Sequence, residues 1–143
     1  MFKFSKKMMY AIEVVLDIAS SENSKPLQSR DLAKKNDLPE RYLEQVMQRL
    51  VRAGILVGVR GPRGGYLLGR EADQITIAEI VEIVLKLDQS KGDILEKAPH
   101  TTGAIALAPL MDEFNSIIMG RLEGLTIEKL LNQHQEKDER AAA

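Results

Sequence analysis

The sequence predicts a mostly α-helical fold interrupted by one small β-hairpin, with a long helix in its second half. Three observations predict it. Apolar residues recur at i, i+3, i+4 spacing over much of the chain, the period of amphipathic helices. The run Gly61-Pro62-Arg63-Gly64-Gly65 lies between two strand-like segments, and no helix could absorb it. Of the 143 residues 44% are hydrophobic but only 4% aromatic, so a core is expected and must be built from aliphatic side chains and Met.

Charge is unevenly placed. Residues 1–70 hold 13 Lys or Arg against 7 Asp or Glu, whereas residues 71–143 hold 7 against 14. The net charge of −1 conceals a basic half, the kind of surface that meets a polyanion, joined to an acidic one. The chain has no cysteine, which removes disulfides, thiolate zinc sites and cysteine-held iron–sulfur clusters. The start, Met1 to Lys7, is polar and basic, and Glu13 and Asp17 break the apolar residues that follow. No apolar run approaches the roughly 20 residues of a bilayer span. The expected protein is soluble and cytoplasmic, with no membrane partner.

The elements follow in order. Residues 6–21 carry Tyr10, Ala11, Val14, Val15, Ile18 and Ala19 on one helical face. Ser20 to Pro26 is a loop. Ser29 is placed to cap a short helix, Arg30 to Lys35, with Leu32 and Ala33 inward. Asn36-Asp37-Leu38-Pro39 is turn chemistry. Pro39 to Ala53 then reads as a helix with Tyr42, Leu43, Val46, Met47 and Leu50 inward. Its other face shows Glu40, Arg41, Glu44, Gln45, Gln48, Arg49 and Arg52, and Gly54 ends it. Two helices joined by a tight turn match a helix-turn-helix unit, although a helical hairpin with a solvated charged face has the same pattern.

The next segment shifts that balance. Ile55 to Val59 is a β-branched run, Gly61 to Gly65 a turn, and Tyr66-Leu67-Leu68 a return strand. A hairpin directly after the second helix is a wing, and Arg60, Arg63 and Arg70 flank its tip. Arginine is favoured in a narrow minor groove by the negative potential there. A plain hairpin with solubilising arginines is the weaker alternative.

Thr76 and Glu79 form a capping box opening a helix with Ile77, Ile80, Val81, Val84 and Leu85 on its apolar stripe. Asp88 to Gly103 reads as a loop. A long helix follows from Ala104 to Leu122, in which Leu107, Leu110, Met111, Phe114, Ile117 and Ile118 repeat at near-heptad spacing. That stripe is wider than packing on one small domain requires, which points to a partner helix. Gly124 breaks it, Thr126 caps a short helix ending near Asn132, and Gln133 to Ala143 reads as a frayed polar tail. The expected organisation is a winged helix-turn-helix domain over 1–87, a sensor-type loop over 88–103, and a dimerisation helix with tail over 104–143.

Arg41-Tyr42-Leu43-Glu44-Gln45, Ala53-Gly54-Ile55-Leu56 and Val59-Arg60-Gly61-Pro62-Arg63-Gly64-Gly65-Tyr66-Leu67-Leu68-Gly69-Arg70 strongly resemble the Rrf2 family of bacterial winged-helix transcription regulators. The resemblance covers residues 6–87 well and the C-terminal helices by pattern. It implies a dimeric repressor or activator, of which repressor is the expected reading, with the second helix in the major groove of operator DNA and the wing in the minor groove. Carried onto this chain, the implied contacts are Lys7, Glu40, Arg41, Glu44, Gln45 and Arg49, and on the wing Arg60, Gly61, Pro62, Arg63 and Gly64. Gln pairs bidentately with adenine and a carboxylate accepts from cytosine N4, so the residue types suit the task. Met8-Met9 stands where the family commonly has a Gly-Arg pair.

One departure is large. IscR-type and NsrR-type members hold an iron–sulfur cluster on three cysteines in the loop before the long helix, and this chain has none. Ala98 and Ala104 keep a spacing similar to the cysteine interval. His100, Asp93, Glu96, Asp112 and Glu113 are the remaining candidate ligands near the loop, and a solvated acidic face is the simpler reading. The chain resembles the cluster-free CymR branch, which implies no cofactor and a small-molecule or protein effector acting at the 88–103 loop. Two other classes fit the residues less well. A regulator that keeps the fold but signals by binding a partner protein would not need the wing arginines. An enzyme would need paired histidines, a nucleophile–base motif or a phosphate-cradling loop leading into a helix, and none is present.

Overall fold

The computed structural model describes residues 4–89 and 100–143. Within these residues six α-helices and one two-stranded sheet follow in the order α1 (Lys6–Ala19), α2 (Ser29–Lys35), α3 (Glu40–Arg52), β1 (Leu56–Val59), β2 (Gly65–Leu68), α4 (Ile77–Gln89), α5 (Thr102–Glu123) and α6 (Ile127–Ala142). One core joins them. It takes Val14 and Val15 from α1, Leu43, Val46, Met47 and Leu50 from α3, and Ile80 and Val84 from α4. Ile55, Leu56, Ile75 and Ile127 join it, all with essentially no exposed surface.

Local chemistry sets the ends of these elements. Ser5 caps α1, its Oγ accepting from the Met8 N–H at 3.2 Å. At the end of α3, Gly54 takes φ +74°, the left-handed conformation that suits glycine. Its N–H donates to the Val51 carbonyl and that of Ile55 to Leu50, both at 3.0 Å, the paired bonds of a Schellman termination. Ile55 thereby leaves the strand expected for it and enters the core. At α4 the capping box forms in both directions, Thr76 N–H to Glu79 Oε2 at 3.1 Å and Glu79 N–H to Thr76 Oγ1 at 3.3 Å.

β1 and β2 pair antiparallel, Leu56 opposite Leu68 and Val59 opposite Gly65. Leu27, which precedes α2, bridges to Tyr66 by two backbone bonds of 3.1 and 2.8 Å. The wing is therefore tied to the segment leading into α2, in addition to the end of α3. A second bridge, Thr76 to Thr126, locks the start of α4 to the start of α6.

Several boundaries differ from expectation. Ser29 is the first residue of α2 and does not cap it; Gln28 precedes the helix and turns its amide to the Pro62 carbonyl at 3.4 Å. Pro39 sits at the N-cap of α3 rather than inside it. The long helix begins earlier, at Thr102, because Thr101 caps it by accepting from the Ala104 N–H. The last helix runs through Ala142 instead of ending near Asn132. After Thr126 the chain contains no Gly or Pro, and its Gln, Glu, Lys, Arg and Ala residues favour helix without tertiary support. Leu85, expected inward, is exposed, and Leu87 is buried in its place.

Glu79 carries a pH dependence. Burial alone would raise its pKa, but hydrogen bonds from Arg70 and Thr76, with the Arg70 charge, more than offset this and hold the carboxyl below its ordinary value of 4.5. A carboxylate with a depressed folded pKa contributes stability that is full above its unfolded value and fades as pH falls through the folded one. Glu79→Gln should therefore lose less melting temperature than the parent chain between neutral pH and pH below 4.5. Parallel losses in the two proteins would contradict this.

Candidate nucleic-acid interface

The exposed face of α3 holds Glu40, Arg41, Glu44 and Gln48, with Arg49 half-buried beside them and Arg52 exposed at the end. The opposite face sinks Leu43, Val46, Met47 and Leu50 into the core. This division keeps the helix fixed while leaving its polar side chains outward. Gln45 lies at the border: its Oε1 is shut away from solvent with no hydrogen-bond partner among the described residues. A buried amide oxygen left unpaired costs about 1–3 kcal/mol, so a partner arriving from outside would have something to satisfy.

At the wing, Arg60, Gly61, Pro62 and Arg63 are all exposed. Gly61 has φ +108° and Gly65 φ +147°, conformations that let the turn close so tightly. Gly64 differs from its expected place at the surface. It is buried, and its N–H donates to the Gly61 carbonyl at 2.9 Å to close the turn. Arg70, expected at the wing flank, turns inward, donating to the Gly54 and Gln74 carbonyls and to Glu79 Oε1 at 2.9 Å. It braces the base of the wing. Two surface grooves adjoin the wing. One runs between Val51 of α3 and Gly58, Val59 and Arg60; the other is lined by Lys25, Gln28, Asp31 and Arg63.

Lys7 lies in the first turn of α1. Its Nζ is 2.8 Å from Asp88 Oδ1 and 5.6 Å from the centre of the Tyr42 ring. Burial, followed by the nearby Asp88 charge, pushes the Tyr42 phenol up to about 12. Neither Asp88 nor this grouping was legible in the sequence, since 81 residues separate the pair.

Along α5, Leu107, Leu110, Met111, Phe114 and Ile117 are exposed, as is Ile105, which sequence reasoning omitted. Ile118 instead packs on the chain's own core with Met119 and Leu122. Together with Phe4, Met8, Val81 and Leu85 these line a small apolar cleft at the root of α5. Of the candidate loop ligands, Asp93 and Glu96 lie outside the described residues, as does Ala98. Asp112 and Glu113 are exposed on α5, and His134 Nε2 meets Asp138 Oδ2 at 3.3 Å along α6. Among the described residues no group of three or more His, Asp or Glu side chains is arranged to hold a metal, and none of their helices is long and apolar enough to cross a membrane.

A helix-turn-helix whose second helix is outward-polar, followed directly by a two-stranded wing, defines a winged helix-turn-helix protein. The family model described as "Rrf2: Iron-dependent Transcriptional regulator" matches residues 4–133, and the chain belongs to this family of transcription regulators. Over 137 residues, 95% of the chain, it is 30% identical to the HTH-type transcriptional regulator IscR of Photorhabdus laumondii, spanning 83% of that protein. Over 82 residues, 57% of the chain, it is 38% identical to IscR of Cronobacter sakazakii; that match spans 51% of the relative, about half its length. Among solved structures, the global cysteine regulator CymR of B. subtilis is 30% identical with a TM-score of 0.68, covering 93% of this chain and 98% of that one. T. potens IscR superposes with a TM-score of 0.72 over 95% and 90% of the two chains, at 24% identity a likeness of fold.

The family description names iron, and the residues here do not fit a thiolate-held cluster. The chain has no cysteine, Ala104 stands exposed in the first turn of α5, and the acidic side chains of α5 point to solvent.

Proposed function

We propose that the chain is a sequence-specific repressor that binds operator DNA as a homodimer, α3 entering the major groove and the wing the minor groove. The observation that carries this reading is the pairing of an exposed Glu40-Arg41-Glu44 face on α3 with an exposed, glycine-closed arginine tip at Arg60 and Arg63. Within it, Glu40, Arg41, Glu44 and Gln45 meet base edges, while Lys7, Arg49 and the wing from Arg60 to Arg63 meet backbone and minor groove. Gln45 reads a base by turning its amide outward, which also gives its unpaired oxygen a partner. Gly64 serves by holding the turn. The signal that relieves repression is taken by residues 88–103 from a small molecule or a protein, without a cluster.

Selection from random duplexes, followed by binding at several salt concentrations, tests the reading. Each phosphate neutralised should add about −0.9 to the slope of log affinity against log salt. Arg60→Ala and Arg63→Ala should weaken all duplexes alike. Gln45→Ala should lose about 1–3 kcal/mol of discrimination at one base position. Equal affinity for selected and random duplexes, or an affinity indifferent to salt, would overturn the proposal.

A further inference from the structure

Among the described residues, Lys7 is the one expected DNA contact that a carboxylate already holds. The pair it makes with Asp88 joins three elements: the first turn of α1, the last turn of α4 and, through the Tyr42 ring, the first turn of α3. Both charges sit at the wrong end of their own helix. A cation in the first turn and an anion in the last turn each oppose the helix dipole, and α1 has no acidic residue in its first turn to compensate. Lys7 and Asp88 answer one another instead. A phosphate at the start of α1 would serve Lys7 equally well, and would meet the positive end of the helix dipole besides. Asp88 gains nothing from the phosphate and is repelled by it.

We propose that Asp88 is an internal competitor for DNA phosphate: it clasps Lys7 against Tyr42, and opening the clasp adds a phosphate contact beside the recognition helix. This rests on the DNA-binding reading above. It gives α4 a direct hold on affinity, because the carboxylate that occupies Lys7 is the penultimate residue of that helix, immediately before residues 90–99. A displacement of the end of α4 would change the charge offered to DNA without any movement of α3 itself.

The test uses the full chain, the duplex recovered by selection and a random duplex, with Asp88→Asn, Lys7→Ala and the double variant. The pair is partly exposed, a class worth about 0.2–1 kcal/mol, so Asp88→Asn should tighten binding to both duplexes up to about fivefold. It should also steepen the salt slope by about 0.9, one added phosphate. In the Lys7→Ala background the same substitution should do much less. A gain of equal size with and without Lys7 would show Asp88 acting as a bare charge, and a weaker Asp88→Asn protein would show the pair presenting Lys7 rather than withholding it. Either result overturns the clasp. A readout without DNA separates this from the parent reading. The Lys7 ε-methylene resonances, shifted upfield by the Tyr42 ring, should move toward free-lysine values in Asp88→Asn. Unmoved resonances would remove the clasp while leaving DNA binding standing. Failure of the unsubstituted chain to prefer the selected duplex would instead remove the DNA reading, and the inference with it.

Discussion

Phe114→Glu should convert the protein to a monomer that folds normally and binds operator about a hundredfold or more weakly. Six large apolar side chains on α5 are open to solvent in the single chain, Phe114 at 50% and Ile117 at 62% exposure among them. Contiguous apolar surface of this kind marks an interface. Leu107, Leu110, Met111, Phe114 and Ile117 fall on one stripe at near-heptad spacing, the pattern of a helix that packs on another helix. A second copy satisfies it economically, since an isologous contact uses the same residues twice. Two glutamates introduced near the two-fold axis would be buried together without partners, which is strongly unfavourable. The fold should survive because Phe114 lies outside the core, which α5 joins through Ile118, Met119 and Leu122. Operator affinity should fall because two linked half-site contacts exceed one by about 10²- to 10⁴-fold when geometry allows both. Sedimentation and operator titration of the variant check both parts. A dimeric Phe114→Glu protein with parental affinity would place the seam elsewhere.

Gly64→Ala should cost about tenfold to a hundredfold in operator affinity while leaving the helical core folded. An added Cβ would stand 2.1 Å from the Val59 carbonyl oxygen and 2.9 Å from both the Arg60 carbonyl carbon and the Gly61 oxygen. These are backbone atoms, so no side chain can yield and the turn itself must open. Opening it breaks the Gly64 to Gly61 bond and moves Arg60 and Arg63 together. Loss equivalent to one charged hydrogen-bonding group, worth about 1.5–3 kcal/mol when well placed, sets the size of the effect. Gly58→Ala is the control. Its Cβ would meet nothing within 4 Å, and the strand should tolerate it. Circular dichroism and operator titration of both variants decide the matter; a Gly64→Ala protein that binds like the parent would show the wing to be dispensable.

These two effects differ in how far the sequence alone announced them. The α5 stripe is a matter of spacing, and spacing is written in the chain. The burial of Gly64 is not, because a glycine in a turn reads the same whether its α-carbon faces solvent or a carbonyl. Arg70 shows the same limit. In sequence it reads as one of the arginines flanking the wing tip, yet Glu79 and two carbonyls from the neighbouring segments claim it. The long α6 is a different case, since its uninterrupted helix formers were visible and only their polarity suggested a tail.

The sequence by itself determined the features whose causes lie within a few residues: the capped starts of α4 and α6, the glycine end of α3, the hairpin after it, and the apolar faces of α1 and α3. Such features depend on hydrogen bonds and side-chain periods spanning about one helical turn, so residue type and spacing suffice. Only the tertiary structure decided that Leu27 pairs with Tyr66, that Thr76 meets Thr126, and that Lys7 is held by Asp88. Each of these joins segments far apart in sequence, and their meeting depends on how the shared core closes. Neither partner's own residue type carries that information.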